Sequence, residues 1–184
     1  MNRSDPLSEL LTEKIRRIRL LILDVDGVLT DGRINVGDDG RETKSFHVRD
    51  GHGLVILMRH GLEVVLLSGR RSEAVEHRAK DLGIEEVHQG IHRKIEVLDS
   101  ILAGRGLDRK EAAYVGDDVV DIPVLRRVGF AVAVADAVEE VRSAADYVTV
   151  SRGGQGAVRE ICELILKTQG KWDDVARRYE FAGA

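Results

Sequence analysis

Cysteine, proline and large aromatics are scarce in this chain of 184 residues, which has one Cys, two Pro, one Trp, three Tyr and three Phe. A lone Cys162 excludes an internal disulfide, and its setting in AVREICELIL marks it as packing on a helix face rather than a nucleophile or metal ligand. Charge of one sign is lacking too. The 28 basic and 32 acidic residues leave a formal charge of −4, and no basic block offers a footprint for nucleic acid. The longest apolar stretches, LLILDV and VVLL, fall far short of the roughly 20 residues a membrane crossing needs. The opening MNRSDPLSELL has no unbroken apolar segment of the signal-peptide kind, so no membrane partner and a cytoplasmic location are expected. This length predicts one domain, 1–184, with a sizeable core.

What is present is alternation. Short runs rich in Val and Ile, at 19–25, 63–68, 85–89, 112–116, 130–134 and 146–150, alternate with segments of helical period. Those segments fall at about 51–60, 72–82, 92–105, 118–128, 137–144 and 156–169, with a short helix in LSELLTEKIRRI before them. The pattern predicts an α/β fold of βα units around a parallel sheet. One stretch interrupts it. GRINVGDDGRETKSFHV carries the turn signal Gly37-Asp38-Asp39-Gly40 and reads as a β-hairpin, about 32–48, set into the first crossover. An isolated hairpin is marginal in water, so this one must pack on its own sheet or on another subunit.

The apolar run at 20–25 ends in Asp24 and Asp26, and burying carboxylates is costly unless they are paired. In open parallel sheets ligands bind beyond the carboxyl ends of the strands. Four polar clusters fall at such ends: Asp24-Val25-Asp26-Gly27, Ser68-Gly69-Arg70, Gln89-Gly90 leading to Lys94, and Gly116-Asp117-Asp118 with Asp121. Each alone is ordinary turn or cap chemistry; all of them together suit phosphoryl transfer. A divalent ion would offset repulsion among Asp24, Asp26 and Asp117, and hard oxygen ligands favour Mg2+. Ser68 and the glycine backbone, Gly69 included, would bind phosphate oxygens while Lys94 neutralises charge. Asp24 would serve as nucleophile and Asp26 as acid and base.

DVDGVLTDG matches the DxDGxxT signature of the haloacid dehalogenase superfamily, which the chain resembles, and Ser68, Lys94 and GDDVVD stand where its later motifs belong. The resemblance implies a Rossmann-like fold with helices on both faces, with Asp24 forming an aspartyl-phosphate. It implies that Asp26 protonates the leaving alkoxide and then activates water. Mg2+ would be held by the Asp24 carboxylate, the Asp26 carbonyl and Asp117, with Asp118 and Asp121 either touching the metal or orienting its waters and Lys94. The spans from Asp26 to Ser68 and from Ser68 to Lys94 leave no room for a cap domain.

From about residue 17 to 172, FHVRDGHG, SGRRSEAVEHRAKDLGI, AYVGDDVVDIPVL, VAVADAVEEVRSAADYVT and GGQGAVREICELIL are similar to the 3-deoxy-D-manno-octulosonate 8-phosphate phosphatases. That resemblance implies a capless homotetramer assembled through the hairpin and a cytoplasmic step toward lipopolysaccharide. The substrate would be a small anionic sugar acid bearing the phosphate. Arg70 and Arg78, eight residues apart, would then grip the carboxylate, Arg159 would act across a subunit boundary, and Thr30 would line the entrance. The related capless phosphatases of 2-keto-3-deoxynononate 9-phosphate are the alternative.

His47, His52, His60, His77, His88 and His92 match no zinc spacing. The tail, about 171–184, carries Trp172, Tyr179 and Phe181, either as a short helix on its own domain or as a contact to a neighbour. Two other classes remain. A phospho-accepting receiver also combines acidic residues with Ser and Lys, but Asp26 supplies a base for turnover. A non-catalytic assembly domain has no need for all of Asp24, Asp26, Ser68, Lys94 and Asp117.

Overall fold

The computed structural model describes residues 8–181. Helix α1, Glu9–Arg16, is capped by Ser8, whose hydroxyl accepts a hydrogen bond from the Leu11 N–H at 3.2 Å. The strands of the main sheet are β1 (Leu20–Leu23), β4 (Glu63–Leu67), β5 (Glu86–His88), β6 (Ala112–Gly116), β7 (Phe130–Ala133) and β8 (Tyr147–Val148). Their order is β5-β4-β1-β6-β7-β8, and every pairing is parallel. Covering both faces of such a sheet with helices removes any need for alternation, which is why β1 is buried at all of its positions. Leu23 stands opposite Leu66 on one side and Val115 on the other.

The helices between strands are α2 (Val48–Arg59), α3 (Glu73–Leu82), α4 (Lys94–Ala103), α5 (Ile122–Leu125) and α6 (Glu139–Ala144), followed by α7 (Ala157–Thr168) and α8 (Trp172–Arg178). Right-handed crossovers lay α2 and α3 on one face while the chain runs outward from β1 to β5. The return through β6, β7 and β8 lays α4, α5 and α6 on the other. Contacts between α2 and α3, α4 and α5, and α5 and α6 agree, and α7 then crosses back to pack along α2. Asp50, in α2 and 1 % exposed, fixes that crossing by accepting hydrogen bonds from the N–H groups of Gly156 (3.1 Å) and Arg159 (2.8 Å) at the start of α7.

The hairpin exists, but as a separate two-stranded sheet: β2 (Asn35–Val36) pairs antiparallel with β3 (Glu42–Thr43). It does not pack its apolar side on the main sheet, since Ile34 is 48 % and Val36 63 % exposed. The expected helix at 118–128 is broken into a 3₁₀ turn, Val119–Asp121, and α5. Asp118 caps that turn through the Val119 N–H, and Asp121 is drawn inward to other partners, so the backbone cannot continue regularly. The outermost strand expected at 146–150 is reduced to two residues, because Thr149 turns to accept from Ala135 N–H and donate to the Ser151 carbonyl.

The tail forms α8 on its own chain, with Val175 and Ala176 buried. Trp172 lies beneath Lys167 (4.8 Å from the ring centre) and Arg159 (5.9 Å), while Tyr179 and Phe181 are partly exposed. Residues 182–184 of the expected tail lie outside the described residues. After β8 the loop returns to the first one: Gly154 N–H donates to the Val28 carbonyl at 2.9 Å, and a Cβ on Gly153 would sit 1.7 Å from the Gly27 carbonyl oxygen.

Candidate active site

The sheet order reverses direction at β1. Chain segments leaving β1 move toward β4, whereas β6 lies on its other side, and the crevice between such strands is where ligands bind in open α/β sheets. Asp24 follows β1 there and Asp117 follows β6. A cleft of about 350 Å3 opens at this point, lined by Asp24, Asp26, Gly69, Arg70, Lys94 and Asp117 among others.

Lys94 opens α4 and is 3 % exposed. Its ammonium lies 2.9 Å from Asp24 Oδ1, 2.7 Å from Asp121 Oδ1 and 3.1 Å from the Tyr114 hydroxyl. Tyr114, fully buried at the centre of β6, donates to the same Asp121 oxygen at 2.6 Å. Burial works against the lysine charge, but Asp24 and Asp121 outweigh it and hold the ammonium above its ordinary value. The other Asp121 oxygen accepts from the N–H groups of Asp117 (3.0 Å) and Asp118 (3.3 Å). Asp121 therefore ties the acidic loop to Lys94, with both of its oxygens already engaged.

Carboxylate oxygens of Asp24, Asp117 and Asp121 come within 4.8 Å of one another. Burial and the neighbouring Asp121 charge push Asp24 up to about 6, against the pull of Lys94. Burial and the charges of Asp24 and Asp121 push Asp117 up to about 8. Asp117 Oδ1 is buried without a hydrogen-bond partner. A divalent cation with hard oxygen ligands fits this arrangement, because it would satisfy that oxygen and relieve the repulsion. Asp24 and Asp117 are the side chains with oxygens to spare; Asp121 is occupied.

Asp26 projects into the cleft and is held by Lys44, whose ammonium contacts Asp26 Oδ1 and lies 2.8 Å from Glu42 Oε1. Ser68 follows β4 directly, is 1 % exposed, and accepts from the Arg70 N–H at 3.2 Å. Gly27 must be glycine: its φ is 88°, and a Cβ would stand 2.0 Å from Asp117 Oδ2. Thr30 was expected at the entrance. It is instead 1 % exposed, and its hydroxyl accepts from the N–H groups of Gly27 and Gly32, both at 3.3 Å, so it shapes the loop from within.

The arginines divide. Arg70 reaches the cleft and pairs with Glu42 at 2.7 Å. Arg78 pairs with Asp81 at 2.7 Å and lies over the Phe46 ring, outside the cleft of its own chain. Arg159 is held by Glu163 at 2.7 Å and stacked on Trp172, also away from that cleft. Sequence reasoning missed Lys44, Glu42, Tyr114 and Asp50. Asp50 in FHVRDGHG and Tyr114 in AYVGDDVVDIPVL lay inside quoted motifs, and Glu42 and Lys44 inside the hairpin stretch, with no role assigned to any of them.

A haloacid dehalogenase-like hydrolase family matches residues 86–161, the part that carries Lys94, Asp117 and Asp121. The chain is 46% identical over 169 residues to the 3-deoxy-D-manno-octulosonate 8-phosphate phosphatase KdsC of Salmonella typhi, covering 92% of this chain and 90% of that protein. It superposes with a TM-score of 0.91 on the 3-deoxy-D-manno-octulosonate 8-phosphate phosphatase of Moraxella catarrhalis. That structure is a complex with magnesium, phosphate and KDO, with 40% identity and coverage of 94% of this chain and 99% of that one. The structure of the Yersinia pestis phosphatase of the same name gives a TM-score of 0.90 at 42% identity, covering 94% of this chain and 93% of that one. Likeness at this level spans nearly the whole of both chains, and on it the chain belongs to the 3-deoxy-D-manno-octulosonate 8-phosphate phosphatases, within the haloacid dehalogenase-like hydrolases.

Proposed function

We infer that this chain is a single-domain, magnesium-dependent phosphatase that hydrolyses 3-deoxy-D-manno-octulosonate 8-phosphate to the free sugar acid and phosphate. The observation that carries the reading is the Asp24 carboxylate at the switch point, paired with buried Lys94 and packed against Asp117 with its unpartnered oxygen. An Asp24 oxygen attacks phosphorus, and the bond from phosphorus to the sugar oxygen breaks. Asp26 gives its proton to that oxygen. Water, relieved of a proton by Asp26, then attacks the aspartyl-phosphate and frees Asp24.

Lys94 and the backbone of Gly69 face the phosphoryl oxygens, with Ser68 holding the turn that presents them. Mg2+, carried by Asp24, Asp117 and the Asp26 carbonyl, supplies charge neutralisation of the phosphoryl group. Asp118 and Asp121 complete the loop around it. Arg70 takes the substrate carboxylate, and Arg78 and Arg159, turned away from their own cleft, serve a neighbouring subunit in a homotetramer. Exposed Ile34 and Val36 support assembly through the hairpin. Among the described residues no helix is long and apolar enough to cross a membrane. The reaction is proposed as a cytoplasmic step toward lipopolysaccharide.

Phosphate release from the octulosonate 8-phosphate, the nononate 9-phosphate and common sugar phosphates, with Mg2+ or chelator, tests this. A magnesium-dependent preference for the octulosonate above about tenfold in kcat/KM is expected, about 1.4 kcal/mol in the transition state. Equal, low turnover of every ester would refute the substrate; no turnover would refute the enzyme.

A further inference from the structure

Lys44 stands just after β3, in a hairpin whose first strand is open to solvent, yet its side chain is only 1 % exposed. Enclosing an ammonium is costly unless it is paired with good geometry. Its partners are Asp26 Oδ1, in the loop after β1, and Glu42 Oε1 at 2.8 Å. Glu42 and Lys44 are two apart in extended chain, so both side chains leave the same face of the hairpin. Glu42 in turn carries Arg70 at 2.7 Å through its other oxygen. An unbroken line of alternating charges therefore runs Asp26, Lys44, Glu42, Arg70, from one lip of the cleft to the other.

The line has a consequence for Asp26. Its Oδ1 is held by Lys44, while no protein hydrogen bond reaches Oδ2 among the described residues. A carboxyl that must hand a proton to a leaving oxygen needs one oxygen fixed and the other presented to the substrate, since misplacement by an ångström is costly in rate. We propose that Lys44 is a positioning residue of the hydrolysis, which orients Asp26 so that Oδ2 faces the leaving group, with Glu42 holding Lys44 in place. This rests on the reading of Asp26 as the proton donor. It gives the hairpin a part in the chemistry of its own chain, besides any part in assembly.

The test compares esters that need a proton on the leaving oxygen with one that does not. Lys44→Met is assayed with Mg2+ on the octulosonate 8-phosphate and on p-nitrophenyl phosphate, whose phenolate departs unaided. The general-acid contribution makes the expected loss in kcat about 30-fold or more on the sugar ester and under about 3-fold on the aryl ester, with KM little changed. Lys44→Arg should recover part of the loss, and Glu42→Gln should show the same selectivity in weaker form. A merely structural role would depress both substrates alike, and that result overturns the proposal. Asp26→Asn is run in parallel. If it shows the leaving-group selectivity and Lys44→Met and Glu42→Gln do not, the proposal fails alone; if Asp26→Asn lacks it, the proton-donor reading fails and the proposal with it. Should Lys44→Met not fold, Lys44→Arg and Glu42→Gln decide by the same ratio.

Discussion

At the carboxyl edge of the main sheet, Asp24, Lys94, Tyr114 and Asp121 are all buried and hold one another through hydrogen bonds of 2.6–3.1 Å. In the hairpin, strands of two residues each leave Ile34 and Val36 in solvent, and Lys44 is the inward anchor. Both regions bear on one cleft, the first through Asp24 and Lys94 in its lining and the second through the contact of Lys44 with Asp26. The difference teaches that the crevice is preorganised by a closed set of buried charges, whereas the hairpin is placed by few bonds and depends on what it touches.

The largest effect should come from the buried set. Asp24→Asn keeps the shape but replaces a nucleophile and metal ligand by an amide, and phosphate release should fall by roughly 10³-fold or more. Substantial residual turnover would remove Asp24 from its role. Next comes Lys94→Met, which leaves Asp24 and Asp121 uncompensated and should cost about 3–5 kcal/mol in urea denaturation. A variant as stable as the parent would show that the charges at this edge do not constrain one another.

Metal and pH sharpen the same contrast. Asp24 and Asp117 are raised to about 6 and about 8. Between their unfolded values near 4 and those folded values, the metal-free native state holds protons that the unfolded chain has released. Metal-free stability should therefore decline as pH rises through this window, with the penalty complete above about 8. Mg2+ binds the ionised form, so its increment in Tm should grow with pH and vanish in Asp117→Asn. A pH-independent increment in calorimetry would contradict the assignment of these carboxylates.

The smallest effect on chain stability belongs to the hairpin. Val36→Ser, at an exposed site, should alter unfolding free energy by no more than about 0.5 kcal/mol. In sedimentation it should weaken the homotetramer proposed above; unchanged assembly would dissociate the hairpin from that task.

How far the sequence reveals this molecule depends on where each residue's partner lies. Asp24, Ser68, Lys94 and Asp117 were legible because each follows a predicted strand, and a parallel sheet brings all such ends to one edge. Tyr114 was not, because inside AAYVG it reads as one more apolar core residue; only its hydroxyl contact to Asp121, set by the fold, gives it a polar task. Lys44 in a hairpin resembles any surface lysine until the β1 loop is placed against it. The helix expected over 118–128 ran too long because periodicity cannot register that Asp121 is recruited inward by Lys94. Arg159 illustrates the converse: its helix was foreseen, but not that Trp172 and Glu163 would hold its guanidinium.

The return of the loop after β8 onto the first loop has a consequence for biosynthesis. Gly153 and Gly154 lie against Gly27, Val28 and Thr30, and Asp50 reaches its partners only when Gly156 and Arg159 are present. As the chain emerges from the ribosome, β1 and its aspartates come out early, but the loop that carries them is not braced until residues 153–159 follow. A nascent chain halted before that point has the reactive carboxylates without the walls that aim them. The bracing of the first loop is thus complete only once the chain through the start of α7 has been made.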